Sequence, residues 1–199
     1  MPSPTTPHHP LLKADEIETA PWRTLAHSLK PEAVRTQFSM SDAVGMKNIA
    51  VHKSRLEPGK ESCLNHYHLN DSEWIYILSG TGTLILIDAS PSLLSQHSLP
   101  PGVSLSGPIP PPPKPEDMHR EERAVGPGDF VGFEGGGGAA RYSHSMIAGP
   151  GGLEYLLGGV KTSPNVCAYP EIGRTLVFER GEGPEGPKLE RSVIREHRG

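Results

Sequence analysis

Two histidines stand either side of a tyrosine in the stretch Asn65-His66-Tyr67-His68-Leu69-Asn70-Asp71-Ser72-Glu73. Side chains alternate along an extended strand, so His66 and His68 share one face and Tyr67 takes the other. Two imidazoles with one residue between them can chelate a single ion. Glu73 follows a short polar turn and opens the next strand. If the two strands pair as a hairpin, its carboxylate returns to the same face. A further histidine would close the site, and His144 lies beyond a Pro127-Gly128-Asp129 turn in a later β-like unit. Three histidines and one glutamate form a borderline N/O donor set. It suits one divalent transition ion (Fe, Mn, Ni, Co, Cu or Zn) and does not suit Ca or Mg. The chain has ten histidines, so close pairs also arise by chance. His8-His9 is such a pair, and His27, His52, His97, His119 and His197 read as surface or local hydrogen-bonding groups.

The elements that must position these residues are strands. The 199 residues suffice for one domain with a core, and 23 glycines and 22 prolines favour short strands and tight turns over helices. Residues 1–44 read as an N-terminal extension, disordered at its start, with a helical turn or two broken by Pro21 and Pro31. From about Lys47 the pattern becomes β-like. "KNIAVHKSRLEPG" ends at a Pro58-Gly59 turn, and "SEWIYILSGTGTLILID" reads as two strands around Ser79-Gly80 and Gly82. Residues 89–122 hold four consecutive prolines, Pro110 to Pro113, and read as a long insertion between strands. The insertion suits a tolerated surface excursion, or a lid or docking segment. Strand character resumes at "RAVGPGDFVGFEG" and continues to "VCAYPEIGRTLVFER", and residues 181–199 form a charged tail.

The net charge of −4 and the lack of a basic run exclude a phosphate-tracking nucleic-acid surface. No apolar run reaches the ~20 residues that span a bilayer, and the start lacks the order of a secretory signal. A cytoplasmic protein with no membrane partner is the expectation. The two cysteines, Cys63 and Cys167, make no disulfide framework.

The series Gly59-x6-His66-x-His68-x4-Glu73-x6-Gly80 closely resembles the first sequence motif of the cupin superfamily. Pro127 to His144 resembles the second, and "AYPEIG" follows in the order seen in small single-domain cupins. The resemblance covers about residues 40–180. It departs in the second motif, where Glu134 and Gly135 to Gly138 replace the usual loop, and where Ala148 stands for the usual asparagine. The resemblance implies an all-β double-stranded β-helix, a jelly-roll barrel over about residues 45–180 interrupted by the 89–122 insertion. Its metal would sit inside, on His66, His68, Glu73 and His144, with positions left for water or substrate. The implied activity is that of a metal-dependent enzyme on a small polar molecule, of dioxygenase, decarboxylase, isomerase or lyase type. The alternative is a non-enzymatic cupin that binds a small ligand. A homodimer is the expected assembly.

Alternation also predicts supporting roles. Ile75 and Ile77 face the lumen with Glu73, while Trp74 and Tyr76 face away. Cys63 falls opposite both histidines as a packed thiol. Asp129 shapes its turn. Arg141 is an exposed loop arginine or a partner for a substrate carboxylate.

Overall fold

The computed structural model describes residues 9–90, 113–136, 138–181 and 188–196. Of the four consecutive prolines, residues 110–112 lie outside them. A short helix α1 (Ala14–Thr19) ends before Pro21, and strands β1 (Arg23–His27) and β2 (Lys30–Ser39) follow. Next come α2 (Met40–Ala43), β3 (Ile49–Leu56), the two-residue β4 (Tyr67–His68) and the long β5 (Glu73–Asp88). Beyond the insertion lie β6 (His119–Val125), β7 (Phe130–Phe133), the long β8 (Ser143–Val160), β9 (Asn165–Tyr169), β10 (Arg174–Gly181) and β11 (Lys188–Glu196).

These strands form two sheets. One has seven strands in the order β1-β2-β3-β8-β5-β6, with β7 also on β5; the other runs β11-β10-β9-β4. All pairings are antiparallel. Side chains from both sheets enclose the main cavity, so the architecture is the two-sheet β-barrel of the double-stranded β-helix. Ile75, Met146 and Tyr155, which line it, belong to a core that also holds Leu56, Ile77, Leu84, Val125 and Leu153.

Four features differ from the sequence expectation. The stretch 73–88 is one strand, not two. β5 absorbs its glycines as bulges against β8, with register shifts at Ile77/Ser79 and Gly80/Gly82. Gly80 takes φ 79° there, and a Cβ on it would lie 2.2 Å from the Gly152 carbonyl oxygen. Residues expected in the N-terminal extension supply β1 and β2, which extend the main sheet through β3. Pro31 is tolerated there because it stands at the very start of β2, where one lost donor costs little. The last residues of the 89–122 segment, from His119, belong to β6 and pair with Asp88 onward. Part of the charged tail forms β11, which pairs with β10 on the edge of the smaller sheet.

The α1 helix is pinned to the main sheet by charge. Glu18 pairs with Lys53 at 2.5 Å and with Arg55 at 2.6 Å, and Glu154 pairs with Arg55 at 2.6 Å. The Arg55 guanidinium also lies 4.0 Å from the Trp22 ring centroid, so the entry to β1 is held by a stacked cation.

Candidate metal centre

The stretch before β4 is irregular, yet it is held firmly. Residues 59–66 run antiparallel to the start of β8: Ser62 N–H donates to Met146 (2.8 Å), and Ala148 N–H donates to Lys60 (3.0 Å). Side chains replace the missing ladder bonds. Ser62 Oγ accepts from Met146 N–H at 3.0 Å, and the Asn65 carboxamide donates to the Ile85 carbonyl at 3.3 Å and accepts from the Ser143 hydroxyl. Asn65 and Ser143 are buried, and these bonds satisfy them.

That pairing sets His66 directly opposite His144. The two residues exchange both backbone hydrogen bonds, at 3.1 and 2.7 Å, so their side chains project to the same face. Their rings lie 4.9 Å apart. His68 enters from β4, and Glu73 from the first position of β5. Ligand atoms of His66, His68 and Glu73 all lie within 4.8 Å of one another. His144 Nε2 lies 2.9 Å and His68 Nε2 3.3 Å from Glu73 Oε2. The expected hairpin does not form: β4 pairs with β9 and β5 with β8, so the short turn from His68 to Glu73 crosses from one sheet to the other, and it is this crossing that brings the carboxylate to the histidines.

The donor set fits a transition ion on two further grounds. Each imidazole has its Nδ1 tied to an acceptor: His66 to the Leu64 carbonyl at 3.1 Å, His144 to the Tyr142 carbonyl at 3.1 Å, and His68 to the Asn165 side-chain oxygen at 3.1 Å. A donating Nδ1–H leaves each Nε2 lone pair free for a metal. Two donors about 2.1 Å from one ion and at right angles to it stand about 3 Å apart, which matches the two Nε2–carboxylate separations.

The electrostatics are those of a crowded site where burial and paired charges compete. Burial holds His66 well below its ordinary value, with the charges of His144 and His68 acting the same way. Burial opposes the charging of His68 too, but its bonds to Cys167 and Glu73 prevail and raise it. For Glu73 burial favours the neutral acid; the bonds from His144 and His68 outweigh it and keep the carboxyl well below the usual range. Glu73 is therefore an ionised donor.

The site opens into a cavity of about 610 Å³. Ile75 lines it on the Glu73 face and Ile77 is fully buried beyond, while Tyr76 is exposed and Trp74 stacks on Phe130, so the alternation expected along β5 holds. Asp129 accepts from Gly126 N–H at 2.8 Å and so shapes its turn. Cys63 departs from expectation: it lines the cavity, with Sγ 3.5 Å from His66 Nδ1. Strand parity fails there because residues 61–66 are not a regular strand. Burial pushes its thiol up to about 11, which makes it a packed, un-ionised group as the sequence suggests. His27 also departs: it stands on the cavity wall, edge-on to Tyr169 at 5.4 Å. Arg141 borders a second cavity of about 530 Å³ beside His68 and His144.

Several residues at the site were not singled out in the sequence. Asn165, Cys167 and Tyr169 alternate along β9 and all face the cavity, and Cys167 pairs in register with His68, which brings its Sγ 3.2 Å from His68 Nδ1. The period-two spacing of "NVCAY" was the available signal. Phe133 lies flat on His144, centroids 3.6 Å apart and planes 5° apart, and only the β5–β7 pairing puts it there. Because Asn165 orients His68, Asn165→Ala should weaken transition-metal affinity roughly 10- to 100-fold with little change in fold, the range for losing a residue that orients a ligand. Competition titration against a chelator measures this, and an unaltered affinity would show that Cys167 alone holds the ring.

No protein-family profile and no curated protein matches the chain. Solved structures do. One is a protein of Acidithiobacillus ferrooxidans provisionally assigned as a sugar phosphate isomerase: 29% identity, TM-score 0.65, covering 94% of this chain and 97% of that one. Another is a sugar phosphate isomerase of the cupin superfamily from Silicibacter pomeroyi, with 18% identity, TM-score 0.61, and coverage of 94% of this chain and 92% of that one.

Proposed function

The chain has the cupin fold, and on that premise we propose that it is a metal-dependent enzyme that isomerises a small phosphorylated sugar. One divalent transition ion would be held by His66, His68, Glu73 and His144. The observation that carries this reading is the convergence of His66, His68 and Glu73, with His144 against the Glu73 carboxylate and each histidine tied at Nδ1, at the wall of a cavity sized for a small molecule. The full-length similarity to the Acidithiobacillus protein supports the choice of substrate class.

When bound, the ion would act as a Lewis acid on a carbonyl or hydroxyl oxygen of the substrate. The chain's own residues do the rest. Phe133 and Tyr169 flank the imidazoles as flat apolar walls, Phe133 against His144 and Tyr169 stacked on His66 at 5.7 Å. They restrict water and stop the rings from turning. Ile75, Met146 and Leu157 give the substrate carbons an apolar surface, and Glu73 holds negative charge beside the ion.

Elemental analysis of the purified protein, paired with a proton-exchange assay, tests the reading. The metal-loaded chain in D2O should exchange the C2 proton of an aldose phosphate and interconvert it with the ketose. Absence of a stoichiometric transition metal would sink the proposal. A full metal complement with tight sugar phosphate binding but no exchange would assign the chain to the non-enzymatic ligand-binding cupins instead.

A further inference from the structure

The main cavity has a second polar pole that the metal centre does not use. Arg35, on β2, lines it together with His27 and Ser28 at the end of β1. The guanidinium is oriented but not neutralised. Its Nε donates to the Gln37 side-chain oxygen at 2.8 Å, and its Nη1 donates to the Ser62 carbonyl at 3.1 Å; both acceptors are uncharged. No carboxylate among the described residues forms an ion pair with it. Lys30 nearby is paired with Glu61, so that charge is already matched. The charge of Arg35 is felt at His27, Cys63, Tyr155 and Tyr169, which all stand on the cavity wall.

The charge balance of the cavity follows. Among its described lining residues Glu73 is the sole carboxylate, and it is engaged by His68 and His144. Arg35 is permanently charged, and a divalent ion would add more positive charge. A half-buried guanidinium without a counter-ion is costly, and an anionic ligand group relieves that cost. Its Nη2 donates to no described protein acceptor, and a planar fork of donors matches a phosphate or carboxylate edge.

We propose that Arg35, with His27 and Ser28 beside it, is the oxyanion subsite of this cavity and takes the phosphate group of the substrate while the sugar end reaches the His66–Glu73 pole. The proposal deepens the sugar phosphate reading and rests on it for the choice of phosphate. The subsite also explains why β1 and β2 are built onto the barrel: they carry His27 and Arg35, and the turn that joins them carries Ser28.

Calorimetric titration of the full chain, metal-loaded and metal-free, with glucose 6-phosphate, inorganic phosphate, glucuronate and glucose provides the test. In the wild type the two phosphates should bind, and glucose should bind much more weakly. Arg35→Met should weaken both phosphates roughly 10- to 100-fold, as expected for one bidentate charged contact, with metal content and glucose binding unchanged. Arg35→Lys should recover part of the loss, since it restores charge but not the fork. Arg120→Met, on the exposed face of β6, controls for net charge. Should Arg35→Met fail to fold, phosphate protection of wild-type Arg35 against phenylglyoxal, mapped by mass spectrometry, gives the same readout. Unchanged phosphate affinity in a folded Arg35→Met, or no protection, overturns the proposal. Arg35-dependent binding of glucuronate without binding of phosphate overturns the phosphate assignment. A wild type that holds no metal yet binds phosphate through Arg35 supports the subsite and defeats the metal-enzyme reading, so the two fail separately.

Discussion

Replacing His66 and His68 together by alanine will strip the chain of stoichiometric transition metal and leave its fold intact. Structural sites with four protein ligands bind zinc with about 10–16 kcal/mol in small peptides, so each ligand accounts for roughly 3 kcal/mol and two for a loss on the order of 10⁴-fold. The fold survives because neither imidazole belongs to the apolar core of Leu56, Ile77, Met146 and Tyr155. The backbone bonds between residues 66 and 144 need no side chain, so the β8 seam also stays closed. Two measurements separate the effects. Elemental analysis should fall from one ion per chain to none. Thermal unfolding of the wild type should shift upward on adding metal, by about 2.7 kcal/mol at a hundredfold excess over Kd, and that shift should vanish in the double variant. A variant that still carries one ion per chain would place the metal elsewhere.

Gly80→Ala is expected to be among the most destabilising small substitutions in the barrel. Gly80 has φ 79°, a conformation that costs an L-residue about 1–2 kcal/mol. The new Cβ would stand 2.2 Å from the Gly152 carbonyl oxygen, and that atom is backbone held in the β5–β8 pairing. Relief requires the two longest strands to separate, and overpacking of this kind adds about 1–3 kcal/mol. The sum, roughly 2–5 kcal/mol, lowers Tm by about 5–20 °C for a chain of this size. Differential scanning calorimetry reads it directly. Gly59 provides the contrast: its φ is 71° but a Cβ there meets nothing within 4 Å, so Gly59→Ala should cost only the backbone part. Equal losses at the two positions would show that conformation alone, not the contact with Gly152, governs Gly80.

The first half of the candidate metal centre was legible because it is local. His66, His68 and Glu73 lie within eight residues, so strand period and one short turn keep them close, although the strands that carry them belong to different sheets and form no hairpin. Gly80, the last residue of the motif, was legible as an interruption but not as a bulge, since only its pairing with β8 and the close Gly152 backbone reveal why the strand continues through it. Cys63 was misplaced because parity presumes a regular strand, and its segment is held instead by the side chains of Ser62 and Asn65. His27 and Arg35 were missed because they sit in strands that have no motif and whose extended conformation is stabilised by pairing onto β3.

The sequence by itself determined the chemistry of the donors, the alternation that aims them, and the all-β class. Those properties follow from residue type and from a two-residue period that any extended segment shares. Only the tertiary structure decided which distant groups complete the site. His144 faces His66 because of backbone bonds across a separation of 78 positions, and Phe133, Asn165 and Cys167 reach the imidazoles through strand pairings whose register no local pattern encodes. Register is a property of two strands at once, fixed by the packing of both faces. That is why one short stretch announced a candidate metal site, while the cavity and its Arg35 pole emerged only when the sheets closed.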